Sequence, residues 1–524
     1  RVRRRLFSIR KNRLVAFTLP MAAVGAKMML EGRVHPTAIL SGRLGALVAF
    51  SVAWAMQEFP EQSWVQSFGC GTLAAVARNG EKGAVNILRS AGVERLLAAL
   101  KRHLQDSRVQ ANGLVALGRL AAGGVNRSTT VAAGGGVQRA VEALLAHPKD
   151  TSVLGNACAL LQRLADGHSE SRDDMVSAGA VELIISALGA HPDDPGLQGF
   201  GVAALGSTAR GSGSASRVGR VVDAGGLETI VAAMGALMAD PWVQRRATNA
   251  LLALASESTK GRAKLVSSGG TRQVIAVMAD FIDDASVQQS GCGLLWLLAE
   301  DGAGSRKTIV GLGGVEQLVA ALAAHRDVAD VQARACAAIA ALVARSAKAK
   351  QAAMRADGLS GALEALRLHP QETQVQEHAC SALAGIVGKD SAGAGAVVEA
   401  GGAQLLTAAL QRHSGSPAVQ LQACVVLARL ASTGGESAQA AIAAAGGVEQ
   451  VVAALWSRAH TAPEDAMTSE AGRGRMRKLF LEHGCSLLAT LRVNVALGSI
   501  VDVRLAESGL SELCWPKRSL PSKK

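Results

Sequence analysis

Six of the eleven histidines, His103, His147, His191, His325, His369 and His413, recur at one position of a regular spacing. Imidazole at a fixed step is raw material for a metal site or for acid–base chemistry. No second ligand recurs beside any of them, and each closes a Leu-rich stretch. The expected role is therefore a helix C-terminus, where the ring meets carbonyls and the negative end of the helix dipole. Seven of the eight cysteines, Cys70, Cys158, Cys292, Cys336, Cys380, Cys424 and Cys485, share another position, five residues after a common anchor. Equivalent sites in neighbouring units would stand about 8–10 Å apart, beyond the roughly 7 Å Cα limit for a disulfide. They read as small buried apolar residues, for which a reducing compartment is the natural home. The carboxylate pairs Asp173-Asp174, Asp193-Asp194 and Asp283-Asp284 sit in turns, where solvated caps explain them. A phosphate-cradling glycine loop, a nucleophile elbow and a zinc-binding helix motif are all missing. The expectation is a chain that is not an enzyme, with no cofactor and no metal.

The anchor is the dipeptide Val-Gln, at Val65-Gln66, Val109-Gln110, Val243-Gln244, Val287-Gln288, Val331-Gln332, Val375-Gln376 and Val419-Gln420, with Val153-Leu154 and Leu197-Gln198 between. The steps are 44 residues throughout, with one of 46. A period of this length marks a solenoid of one repeated supersecondary unit. Four residues after each anchor stands Gly or Ala: Gly69, Gly113, Ala157, Gly201, Ala247, Gly291, Ala335, Ala379, Ala423 and Gly484. Eight after stands Leu or Ile, and eleven after a branched apolar residue, except Thr208. Steps of four, four and three predict one buried helix face, with the small residue admitting a close neighbour. Asp106, Asp150, Asp194, Asp240 and Asp284 stand where N-caps would, and Pro195 and Pro241 follow at the first helical position. A second signal ends in Gly92, Gly136, Gly179, Gly226, Gly270, Gly314, Gly358, Gly402, Gly447 and Gly509, where glycine is expected to permit a sharp turn into another helix. A short, more polar helix lies between the two signals. Each unit is thus three helices.

Composition agrees. Hydrophobic residues make up 49% and aromatics only 3%, so the core must be aliphatic. The net charge of +13 belongs to the ends: residues 1–14 carry seven basic and no acidic residues, and residues 470–524 carry ten against five. The expected organisation is a basic then apolar segment 1–33 (leader, linker or cap), a solenoid over 34–515, and a basic tail 516–524. The last unit holds an insertion of 17 residues, whose polar part near 460–478 is expected to be a surface loop.

The unit resembles the armadillo repeat, in the protist-type flavour also seen in the armadillo region of leucine-rich-repeat kinases. The shared wording, a Gly-Gly-apolar turn, a Leu-rich helix ending in His, then Val-Gln and a Gly/Ala-Cys pair, stands at Gly401–Val425 and Gly313–Ala337. The resemblance runs from about Gly42 to Trp515. It implies an all-α, right-handed superhelical solenoid of about ten three-helix armadillo repeats, with the anchor helices lining a concave groove. Importin-type and catenin-type relatives hold extended peptides there, with Trp six and Asn ten residues after the anchor. This chain lacks both rows, so it is not expected to bind nuclear signals in that way. At the Asn position stand Arg119, Arg163 and Arg429 instead, and the nearby inner-face candidates are Asn112, Asn156, Asn249, Arg246, Arg334 and His378. Adjacent arginines could grip a carboxylate or phosphate bidentately; the alternative is a solvated helix face. Trp296, beside the Asn position, is either core or a lone groove aromatic, and the core is the expected place.

The implied function is a non-catalytic scaffold, a monomer that offers its groove to a protein or peptide partner, acidic or phosphorylated near Arg119 and Arg163. Two alternatives remain. The basic ends could tether the chain to nucleic acid or anionic lipid, or the array could be the armadillo region of a larger kinase or ligase. The expected compartment is the cytoplasm, with the nucleus, or an organelle addressed by residues 1–30, as alternatives.

Overall fold

The computed structural model describes residues 42–211, 213–388, 391–460, 470–494, 497–510 and 514. The segment 1–33, the tail 516–524 and the side chains of Arg473, Arg475 and Arg477 lie outside the described residues. Every regular element among them is a helix, and the chain is an all-α solenoid. It divides into two compact units, Arg1–Gly270 and Thr271–Lys524.

In the first unit, one repeat runs Gly80–Arg89, Gly92–Arg102, Ser107–Ala121. In the second, one runs Ala347–Arg355, Gly358–Leu368, Thr373–Val387. Within each unit, successive anchor helices pack on one another. The core they close is aliphatic: Val109, Leu114 and Leu117 are fully buried, as are Val287, Leu295 and Leu298. Each such Leu contributes roughly 1.5–3 kcal/mol relative to exposure. The Gly/Ala position works as its size implies. A Cβ on Gly201 would lie 2.6 Å from Leu188 Cδ2, and one on Gly291 2.5 Å from Met278 Sδ. Small residues here let the Leu-rich helix of the same repeat press against the anchor helix.

The helix starts follow the sequence closely. Asp106 Oδ1 accepts the N–H groups of Arg108 at 3.0 Å and Val109 at 3.2 Å, and Asp150, Asp194, Asp240 and Asp284 cap their helices in the same way. Ser416 takes the same role ahead of Pro417. The glycine signal works differently from the expectation. At most repeats the left-handed turn falls one residue earlier, on Gly135 (φ 90°), Gly225 (φ 88°) and Gly313 (φ 79°), and even on Ala91 (φ 53°) and Asp357 (φ 63°). The second glycine opens the helix and is small for lack of room: a Cβ on Gly92 would lie 2.5 Å from Ile87 Cγ2 and 2.9 Å from the Ile87 carbonyl. Gly179 does carry the turn itself (φ 75°), and Gly509 ends the helix Gly498–Ser508.

The glutamine of Val-Gln seals a chain break that the sequence pattern alone does not explain. Gln376 is buried and its Nε2 donates to the carbonyls of Leu366 at 2.9 Å and His369 at 3.0 Å. Pro370 stands four residues after Leu366 and has no N–H to offer it. The same fork recurs at Gln66, Gln110, Gln198, Gln244, Gln288, Gln332 and Gln420. The histidines join repeat to repeat. His103 Nε2 lies 2.7 Å from the Pro60 carbonyl, His147 2.6 Å from Leu104, His325 2.6 Å from Ile282 and His413 2.9 Å from Pro370. Each His ends its helix as expected, but the carbonyl it meets belongs to the preceding repeat, 43 residues back.

Two sequence readings are corrected. Cys485 is not an unpaired thiol, because its sulfur is bonded to Cys514, with Cα atoms 5.1 Å apart. The spacing argument covers only equivalent sites in neighbouring repeats, and Cys514 lies off the repeat. The other six cysteines are free and buried. The polar insertion is not all loop: Glu470–Val493 is one helix of 24 residues, so the basic run 473–478 extends the last anchor helix. Glu, Arg, Lys and Met in that stretch favour helix strongly enough to outweigh Gly472 and Gly474. Residues 461–469 lie outside the described ones.

Candidate functional site

The anchor helices place one side chain per repeat at each register position of their exposed face. In the first unit the helices Ser107–Ala121, Thr151–Gly167, Pro195–Ser207 and Pro241–Glu257 carry Arg119, Arg163 and Arg246. Arg119 leans toward the preceding repeat and donates from Nη1 to the Ala74 carbonyl at 2.8 Å. Burial lowers its pKa, and Arg78 and Arg163 push it the same way. Arg246 lies over Trp242 at 4.4 Å and Phe200 at 5.0 Å, a cation–π arrangement on two rings. Its Nη1 reaches past the intervening helix Pro195–Ser207 to Gln162 Oε1 at 3.1 Å. Space for this comes from Gly199, where the Trp242 ring occupies the place of a Cβ. Burial lowers the Arg246 pKa first and Arg163 second, with Asp166 opposing.

Arg163 stands between these two. Its aliphatic stem passes Gly118, with Cδ 3.8 Å from where a Cβ there would be. Its guanidinium makes no hydrogen bond or ion pair with any described residue. The nearby carboxylate, Asp166, is engaged by Ser207 at 2.8 Å, Arg210 at 3.3 Å and Gln162 at 3.2 Å. Asn112 Nδ2 donates to the Ser67 carbonyl at 3.2 Å and Asn156 Nδ2 to that of Ala111 at 3.4 Å, so both amides are tied to the repeat before. Asn249 is exposed and makes no such bond.

In the second unit the face is less basic. Arg429 donates to the Ala384 carbonyl, the counterpart of the Arg119 contact, and burial lowers its pKa. Arg334 is half-buried without a partner among the described residues. His378 faces Trp296 with ring centroids 5.4 Å apart. Burial lowers the His378 pKa against the opposing pull of Glu377 and Glu300. Trp296 is therefore not a core residue as expected. It is half-buried, and its indole N–H donates to Glu300 at 2.9 Å.

The structure thus brings Arg119, Arg163 and Arg246 into one neighbourhood and leaves Arg429, Arg334 and His378 in the other unit. Sequence reasoning missed Gln162, Trp242 and Phe200. It also missed that many arginines on the short helices are committed to capping. Arg172, Arg262 and Arg306 each donate to a carbonyl seven residues back, at 2.7 Å, near the end of an anchor helix. That i−7 spacing is legible once sought. No three His, Cys, Asp or Glu side chains converge as a metal site among the described residues, and no single helix there is long and apolar enough to cross a membrane.

Solved structures give the fold independent support. An engineered protein seen by crystallography is 29% identical, covers 83% of this chain and 98% of its own, and has a TM-score of 0.65. A structure from work on a phosphorylation switch that controls the interaction between cadherin and beta-catenin is 17% identical, covers 93% and 97%, and has a TM-score of 0.66. Both are similar as helical repeat arrays. No protein-family model matches the chain, and no curated protein does.

Proposed function

We propose that this chain is a non-catalytic scaffold of the armadillo type, whose anchor-helix face binds a protein or peptide with an acidic or phosphorylated segment. One observation carries the reading: Arg163 is an arginine without a protein partner, flanked by two arginines that are held in place. A lone surface arginine moves freely and is commonly just solvated. Here the neighbours are already ordered, by a carbonyl at Arg119 and by two aromatic rings at Arg246, so an anion would meet a prepared site with less ordering entropy to lose. The beta-catenin structure, an armadillo protein that engages cadherin by the words of its description, supports the same class of role by likeness of fold alone. The six histidines at helix ends and the six free cysteines, which could have argued for catalysis, serve repeat stacking and the core. Recovery of partners on immobilised full chain tests the reading, comparing wild type with Arg119→Glu/Arg163→Glu. Loss of a specific partner in the double variant is expected, and unchanged recovery would remove this face as the binding surface.

A further inference from the structure

We infer that the face formed by Arg119, Arg163 and Arg246 takes an extended peptide bearing two carboxylates three residues apart, one seated between Arg163 and Arg246 and the other at Arg119. This rests on the reading of the anchor face as a peptide-binding surface, and adds to it the register of the ligand. Arg119 and Arg163 occupy the same position of adjacent repeats, and both lean toward the repeat before, so their heads keep the spacing of the helices, about 8–10 Å. A chain in the extended polyproline II conformation advances about 3.1 Å per residue with three residues per turn, so two side chains three residues apart match one repeat and point to the same face. Arg246 starts two repeats away, but its contact with Gln162 brings its head beside the helix that carries Arg163. Those two therefore form one anion seat and Arg119 forms the next. The carboxylate beside them, Asp166, already has three partners. The facing charge is positive and its neighbouring carboxylate is engaged by other residues, which makes the face the complement of a carboxylate pair. A guanidinium donates through a planar fork, so each carboxylate could accept two bonds.

Fluorescence anisotropy of labelled peptides against the full chain tests this. One peptide carries Glu-x-x-Glu in an otherwise neutral sequence; others carry Glu-Glu, Glu-x-Glu and Gln-x-x-Gln, and a last one a single phosphoserine. The three-residue spacing should bind about tenfold more tightly than either shorter spacing. Arg163→Gln should remove that preference, Arg163→Lys should restore only part of it, and Arg367→Gln, at an exposed position of the second unit, should change nothing. Equal binding of all acidic spacings, still lost in Arg163→Gln, would overturn the register while leaving the acidic face in place. Binding unaffected by Arg163→Gln would remove both. No measurable binding of any peptide, or a single phosphoserine binding as well as the spaced pair, would also overturn the two-seat geometry.

Discussion

Replacing Gln376 by Leu isolates what the Val-Gln signature does. The substitution keeps a side chain of similar size in a site that is only 2% exposed. It removes the donor to Leu366 and to His369. The His369 carbonyl keeps the backbone N–H of Glu372 at 3.2 Å. The Leu366 carbonyl has no such reserve, because Pro370 occupies the residue that would donate to it. An unsatisfied buried acceptor costs about 1–3 kcal/mol, and the second bond adds roughly 0.5–1.5, partly offset by the apolar leucine. A net loss of about 1–3 kcal/mol is expected. Repeat arrays distribute stability over nearest neighbours, so the loss should be local. Hydrogen exchange should show faster exchange across Gly358–Leu368 and Thr373–Val387, with distant repeats unchanged. A natural counterpart sharpens the test. Leu154 stands at the glutamine position of its own repeat, with Pro148 four residues after Leu144. Leu154→Gln should be accepted without loss, since it supplies a donor that its neighbours lack. If Gln376→Leu left exchange unchanged, or Leu154→Gln unfolded its repeat, the proposed capping role of this glutamine would be wrong.

Ala379→Leu should lower stability by about 1–3 kcal/mol through overpacking, since the residue is fully buried at the repeat position where Gly201 and Gly291 meet the Leu-rich helix; calorimetry or urea unfolding would show it. Asp150→Ala removes an N-cap that accepts from Ser152 and Val153, and should cost about 0.5–2 kcal/mol by the same assay. Burial pushes the thiols of Cys70, Cys158, Cys336 and Cys424 up to about 12, and those of Cys292 and Cys380 higher still. A folded pKa raised above the unfolded value near 9.0 gives stability that is full below that value and lost progressively as pH rises from it through the folded value. Unfolding midpoints should therefore fall as pH rises above about 9, less steeply in a variant with several of these cysteines changed to Ala. The same thiols should resist maleimide until the chain is unfolded.

Period and helix type were legible because they depend on side-chain size and on local capping, both written at fixed spacing. Asp106 and Pro195 announce helix starts through chemistry within three residues of themselves. The helix-end place of His413 was legible, but the preceding repeat as its partner and the role of Gln376 were not, because the acceptors are backbone carbonyls, which any sequence supplies equally. The Cys485–Cys514 pair escaped because Cys514 lies off the repeat register. At the candidate face, Arg119, Arg163 and Arg246 were visible as types at positions. That Arg246 would reach past a whole helix to Gln162 depended on the emptiness left by Gly199 and on the rings of Phe200 and Trp242. Contacts that skip a repeat have no local signal. Trp296 was misplaced for the same reason: its face is decided by His378 on the second anchor helix along.

Hydrogen exchange of the full chain with and without the Glu-x-x-Glu peptide tests the central claim most directly. Protection should concentrate on the helices Ser107–Ala121, Thr151–Gly167 and Pro241–Glu257 and vanish in Arg163→Gln. Protection confined to other helices, or none at saturating peptide, would contradict the assignment of this face as the binding surface.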